Sequence, residues 1–113
     1  MSNGTDPRHV NRRLAARVAC HLTVQYRSGS TWRPATAMDL SVRGCRLRLG
    51  EDLVRTSDVS VLIEHPGKDG GSPLRAEVKG NIIWSRHEGL SHQAGIQFTS
   101  EPEGLHEILR VLG

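Results

Sequence analysis

The chain has 113 residues and a formal charge of +3, with 36% hydrophobic and 24% charged residues. That length gives one domain with a single real core, and the composition excludes a chain that is disordered throughout. No apolar run approaches the roughly 18–20 residues of a membrane span, and the polar N-terminus lacks the apolar core of a secretory signal, so a cytoplasmic protein is expected.

The first segment, 1–11, carries Gly, Pro, Asn, Asp and Ser without periodicity and reads as a flexible tail. From Val18 to Tyr26 the sequence alternates strictly. Val18, Cys20, Leu22, Val24 and Tyr26 fall on one side, with Ala19, His21, Thr23 and Gln25 on the other, which predicts a half-buried strand. Ser28-Gly29-Ser30 is a turn. A second strand is predicted over about Trp32 to Leu40, with Pro34 marking an edge or a bulge near its start. The third, Cys45 to Leu49, sets Cys45, Leu47 and Leu49 against Arg46 and Arg48.

After the connection Gly50 to Ser57, a fourth strand is predicted at Val59 to Glu64, followed by the polar loop Pro66 to Pro73. The fifth runs from about Leu74 to Arg86 and places Ala76, Val78, Gly80, Ile82 and Trp84 on one face. Gly80 there suits a bend or the close approach of a neighbouring backbone. Glu88-Gly89 begins the turn to the sixth strand, Gln93 to Thr99. Beyond Pro102, the spacing of Leu105, Ile108, Leu109 and Leu112 predicts a short amphipathic helix over about 102–112. Six short strands in a meander, with no helix between them, predict an all-β fold. The sheet is expected to close into an antiparallel barrel over about 18–99, with the helix over an open end.

Charge identity is more informative than net charge. Of the 15 basic residues, 13 are arginine, and Lys68 and Lys79 are the only lysines. The planar guanidinium fork matches phosphate oxygens and the O6/N7 edge of guanine, although a GC-rich genome produces the same bias. Arg12, Arg13 and Arg17 lie within six residues at the boundary between tail and first strand. A second segment, Asp39-Leu40-Ser41-Val42-Arg43-Gly44, breaks the pattern between strands two and three. In extended chain Asp39 and Ser41 project to the same side. A carboxylate there suits the adjacent N1–H and N2–H donors of guanine. Gly44 permits a positive φ or the close approach of a ligand. Either segment alone is common: a solvated basic tail in one case, an Asp–Ser turn in the other.

Together they are not common. The pair resembles the PilZ domain, the bacterial receptor module for cyclic di-GMP. That family has RxxxR just before the first barrel strand and (D/N)xSxxG after the second. Here these read Arg13-Leu-Ala-Ala-Arg17 and Asp39-Leu-Ser41-Val-Arg-Gly44. Ile82-Ile83-Trp84 and Gly95-Ile96-Gln97-Phe98 match two further family traits, and the resemblance covers about Arg12 to Thr99. It implies a six-stranded antiparallel β-barrel, with the PilZ domain over 12–113. By the same resemblance, Arg13 and Arg17 would hold ligand phosphates and guanine edges. Asp39 and Ser41 would hydrogen-bond a guanine, and Gly44 would keep the turn tight. Arg12 would go with two intercalated ligand molecules per protomer. Trp84 either packs in the core or lies near a guanine.

Other residues read more plainly. Arg43, Arg46 and Arg48 read as a solvated strand face; the alternative is that they add positive potential near the ligand. Cys20 and Cys45 fit no metal spacing and no disulfide framework and read as buried free thiols. The six histidines are dispersed, and neither a metal nor a cofactor is expected. No nucleophile has a base at recognisable spacing, so an enzyme is not expected. A basic barrel that binds RNA or single-stranded DNA is the main alternative, but it needs surface aromatics on which bases stack, and this chain has only four aromatics, so nucleic acid is not the expected partner. The other alternative is a PilZ adaptor without nucleotide. The expected function is therefore a cyclic di-GMP receptor that acts on an unidentified downstream protein.

Overall fold

The structure, a computed structural model, describes residues 17–67 and 71–112. Arg12, Arg13 and the segment 1–11 lie outside the described residues. The strands are β1 (Val18–Arg27), β2 (Arg33–Leu40), β3 (Gly44–Leu49), β4 (Asp58–His65), β5 (Leu74–Glu88) and β6 (Ser91–Phe98), followed by helix α1 (Glu103–Leu112). All pairings are antiparallel, and the sheet closes into a barrel in the order β1-β2-β3-β6-β5-β4. Six antiparallel strands, a barrel and a terminal helix agree with the sequence pattern.

The order is not the meander that the sequence suggested. β3 and β4 are not neighbours: β6 takes the place beside β3, and β4 crosses to pair with both β1 and β5. The segment between β3 and β4 is too long for a tight hairpin, and it carries an apolar residue of its own, Leu53, into the core. It is also tied to β5, since Thr56 N donates to Ile82 O at 2.7 Å and Ile82 N donates to Ser57 O at 3.0 Å.

Alternation sets the core. Val24, Leu40, Leu47, Val61, Ile82 and Ile96 are each 2% exposed or less and fill the barrel. Pro34 pairs with Gln25 of β1, while the pairing of β2 with β3 begins only at Thr36. The missing N–H of Pro34 therefore falls where β2 has no partner on its β3 side. Gly80 admits its neighbour as expected, because a Cβ there would lie 2.5 Å from Gln97 O. α1 buries Leu105 and Ile108 completely and packs mainly along β5, with Leu109 and Leu112 at the margin of the core. Gly104 allows the close approach, since a Cβ there would sit 2.2 Å from Arg75 O.

Two expectations need correction. Trp84 does not continue the inward face of Ala76, Val78, Gly80 and Ile82. A bulge between Ile82 and Trp84 shifts the register so that Ile82 faces Ile96 and Trp84 faces Gly95. Ala94, Ile96 and Phe98 point inward on β6, so Gly95 points outward and Trp84 with it. Cys45 is buried, but Cys20 is only half-buried, with its Sγ donating to Ala37 O at 3.4 Å.

Candidate functional site

Reading the registers across the barrel places one row of residues on the outer wall. Ala19 of β1 faces Asp39 of β2, Asp39 faces Arg46 of β3, Arg46 faces Gly95 of β6, and Gly95 faces Trp84 of β5. The register irregularities between Ala19 and Leu22, between Ala37 and Asp39, and between Ile82 and Trp84 all adjoin this row. Bulges twist a strand locally and re-aim side chains, and they concentrate next to functional sites.

The carboxylate of Asp39 is the centre of the row. Arg17 Nη1 donates to Asp39 Oδ1 at 3.0 Å. Arg46 Nε stands 3.4 Å from Asp39 Oδ2. The side chain of Asp39 is 15% exposed and that of Arg17 is 55% exposed. A pair with so exposed a cation contributes at most about 1 kcal/mol to stability. Its importance is positional: the last arginine of the basic segment reaches the carboxylate of the β2–β3 turn, 22 positions further on.

Ser41 does something other than stand beside Asp39 in solvent. It is 2% exposed, and its Oγ accepts from Arg43 N at 3.1 Å and from Gly44 N at 3.2 Å. Its own N–H donates to Gly44 O at 2.9 Å. The hydroxyl thus serves the turn, satisfying two backbone donors that the tight reversal leaves without ladder partners. Gly44 has no positive φ; a Cβ there would lie 2.1 Å from Ile96 O, so the absent side chain lets the backbone of β6 come close.

Trp84 lies across Gly95. A Cβ on Gly95 would meet its Nε1 at 2.2 Å, so the absence of a side chain at 95 is what seats the indole. Arg86 Cζ stands 5.3 Å from the centre of the Trp84 ring, and Arg86 pairs with Glu88 at 3.4 Å. The outer wall of β3, β6 and β5 therefore presents an indole among the guanidiniums of Arg46, Arg48 and Arg86. Two clefts lie elsewhere. One of about 460 Å³ runs between Arg27, Asp58 and Lys79, and one of about 480 Å³ lies between Arg43 and His106; neither includes Asp39 or Trp84.

The charge on Asp39 reaches inward as well. Burial first, and then this carboxylate, raises the thiols of Cys20 and Cys45 above the ordinary value. Both are therefore weak nucleophiles. Among the described residues no group of three His, Cys, Asp or Glu side chains is placed to hold a metal ion, and no helix is long and apolar enough to cross a membrane.

Of the residues singled out in the sequence, Arg17, Asp39 and Trp84 fall on or beside one outer row, with Ser41 and Gly44 shaping the adjoining turn. Arg12 and Arg13 lie outside the described residues. The sequence reading missed Arg46 as a partner of Asp39 and treated it as solvated. Its outward position was legible from alternation, but its register opposite Asp39 was not.

These features define a small closed β-barrel module with an arginine-flanked carboxylate on its outer wall. The family model described as "PilZ domain" matches residues 11–112, and the chain belongs to that family. No curated protein sequence matches it. Among solved structures it is similar to the inhibitor of motility MotI/DgrA of Bacillus subtilis, with TM-score 0.71, 15% identity, 88% of this chain covered and 51% of that one. It is also similar to a tetrameric PilZ protein of Xanthomonas campestris, self-assembled through a helical bundle, with TM-score 0.60, 17% identity, and 98% and 92% of the two chains covered. A third is PlzA of Borreliella burgdorferi in complex with c-di-GMP, with TM-score 0.57, 11% identity, and 92% and 54% covered. This chain thus spans about half the length of MotI and PlzA.

Proposed function

We propose that this chain is a receptor for cyclic di-GMP and not an enzyme, and that it signals to a downstream protein through the segment preceding β1. Membership of the PilZ family and likeness to PlzA, whose structure contains c-di-GMP, support the ligand class. The observation that carries the reading is the 3.0 Å contact between Arg17 and Asp39. It joins the last residue of one motif to the first of the other, which supports a site built from both.

In this reading Arg13 and Arg17 hold ligand phosphates and guanine edges, for which the guanidinium fork is suited. Asp39 accepts from guanine N1–H and N2–H. Ser41 and Gly44 hold the turn that carries Asp39, and any contact of their own with the ligand passes through that turn. Trp84 offers an indole face at the other end of the row. Arg12 suits a second ligand molecule stacked on the first. Because the basic segment folds over the ligand, its ordering is the signal that a partner reads. The protein would act in the cytoplasm.

The test is calorimetry with cyclic di-GMP beside GMP, GTP and a short oligonucleotide. Binding of the cyclic dinucleotide alone is expected, with loss in Arg13→Ala, Arg17→Ala and Asp39→Ala while the circular dichroism of the barrel is retained. Binding of the oligonucleotide in place of the dinucleotide would favour a nucleic-acid module. A stoichiometry of one ligand per protomer would remove the role given to Arg12.

A further inference from the structure

The carboxylate of Asp39 is held from two sides by arginines that differ in anchorage. Arg17 immediately precedes β1, and its side chain is 55% exposed. Arg46 is in β3, paired with Asp39 on one side and Gly95 on the other, with a side chain 37% exposed. Its Nε is buried and, among the described residues, has no hydrogen-bond partner of good geometry; Asp39 Oδ2 stands 3.4 Å away. A buried charged donor left this way is costly unless the site needs it where it is.

A carboxylate has about four lone-pair positions. Arg17 occupies one on Oδ1, and Arg46 lies against Oδ2. One position on each oxygen remains, and two adjacent donors such as N1–H and N2–H of guanine need both at once, in one plane. Recognition of a guanine therefore requires the plane of the carboxylate to be fixed before the ligand arrives. Arg17 lies outside the strand ladder and its side chain is more than half exposed, so it cannot supply that reference. Arg46, fixed by ladder pairing on both sides, can.

We propose that Arg46 is a positioning residue for guanine recognition. It sets the plane of the Asp39 carboxylate through Oδ2, so that both oxygens meet the N1–H and N2–H edge together. This rests on the receptor reading above and adds a residue and a specificity mechanism to it. A mere increase in positive potential would strengthen every dinucleotide alike, whereas a fixed carboxylate plane rewards the ligand that presents both donors.

The experiment measures binding of cyclic di-GMP and cyclic di-IMP to the full chain, its Arg46→Ala variant and its Arg46→Gln variant, with thermal unfolding of each. Inosine keeps N1–H and lacks the 2-amino group. The full chain is expected to prefer the guanine ligand. Both variants should keep their unfolding midpoint and lose about tenfold in affinity for cyclic di-GMP, which is about 1.4 kcal/mol of binding free energy. Their preference for guanine over inosine should collapse towards unity. Equal losses for both ligands, leaving the preference intact, would reduce Arg46 to a source of potential and overturn the proposal. So would unchanged affinity. If the full chain binds neither dinucleotide, the receptor reading itself fails.

Discussion

The indole of Trp84 lies on the bare backbone of Gly95, with Nε1 2.2 Å from where a Cβ would stand. The bulge in β5 that turns Trp84 outward and the missing side chain on β6 that receives it are two halves of one device. An outward indole beside the Arg86 guanidinium suits a stacked base if that arginine swings aside, and such stacking contributes about 1–3 kcal/mol.

Gly95→Ala is therefore expected to move the indole without unfolding the barrel. The group in the way is a side chain on the outer wall, which can swing. Tryptophan emission should shift, and affinity for cyclic di-GMP should fall about tenfold if a guanine rests there. A shifted indole with unaltered binding would remove Trp84 from the site.

Gly44→Ala should behave in the opposite way. Its Cβ would stand 2.1 Å from Ile96 O, and here the obstacle is the backbone of the paired strand. β3 and β6 must separate where the ladder joins the turn. A loss of about 1–3 kcal/mol is expected, as for other overpacked sites, read as a lower urea midpoint at unchanged slope. Arg17→Ala should leave that midpoint within noise, since an exposed ion pair contributes little. A Gly44→Ala chain as stable as the parent would mean that β3 has room to shift.

How much of this was legible beforehand follows from what each feature depends on. Val18 to Tyr26 alternates without exception, so β1 and its inward face were readable from period alone. The helix was readable from Leu105, Ile108, Leu109 and Leu112 in the same way. Strand order was not, because alternation tells which way a side chain points and nothing of which strand lies beside it. Only pairing shows that β6 enters between β3 and β5. Trp84 was misplaced for a related reason: a bulge inserts one residue and reverses the parity that the reading counts on. The meeting of Arg17 with Asp39 was anticipated from the family resemblance, but the partnership of Arg46 with Asp39 depends on register and was invisible. Ser41 has the residue type of a ligand contact and the environment of a turn, and only burial separates the two.

Stability should fall on the alkaline side. Tyr26 is held well above its ordinary value of 10.0, first by burial and then by donating to the Glu51 carboxylate. Burial raises the Cys45 thiol above its ordinary value of 9.0, again with burial the largest cause. Both groups keep their protons to higher pH in the folded chain than in the unfolded one. The unfolded chain therefore releases protons first, and each increment of pH above about 9 favours it. Stability from these groups is complete below that pH and is lost progressively above it. Thermal midpoints should be level from neutral to about pH 8.5 and decline beyond, and Tyr26→Phe should flatten part of the decline. A midpoint indifferent to alkaline pH would mean that Tyr26 reaches solvent.

Ligand binding should itself be visible as stability. A ligand that binds only the folded chain stabilises it by about 2.7 kcal/mol at a hundred times its dissociation constant, which for a domain of this size raises the midpoint by about 10 °C. Cyclic di-GMP should give that shift, and Arg17→Ala should abolish it while its own midpoint stays that of the parent chain. Raising the salt should shrink the shift, because contacts between phosphates and exposed guanidiniums are screened within about 10 Å at 0.1 M. Contacts made by Asp39 to a base edge carry no such dependence on long-range attraction. The portion of the shift that survives high salt thus measures guanine recognition apart from phosphate attraction, and Asp39→Asn should remove that portion. If Asp39→Asn lowers only the salt-sensitive portion, the carboxylate serves to hold its arginines and the base is read elsewhere.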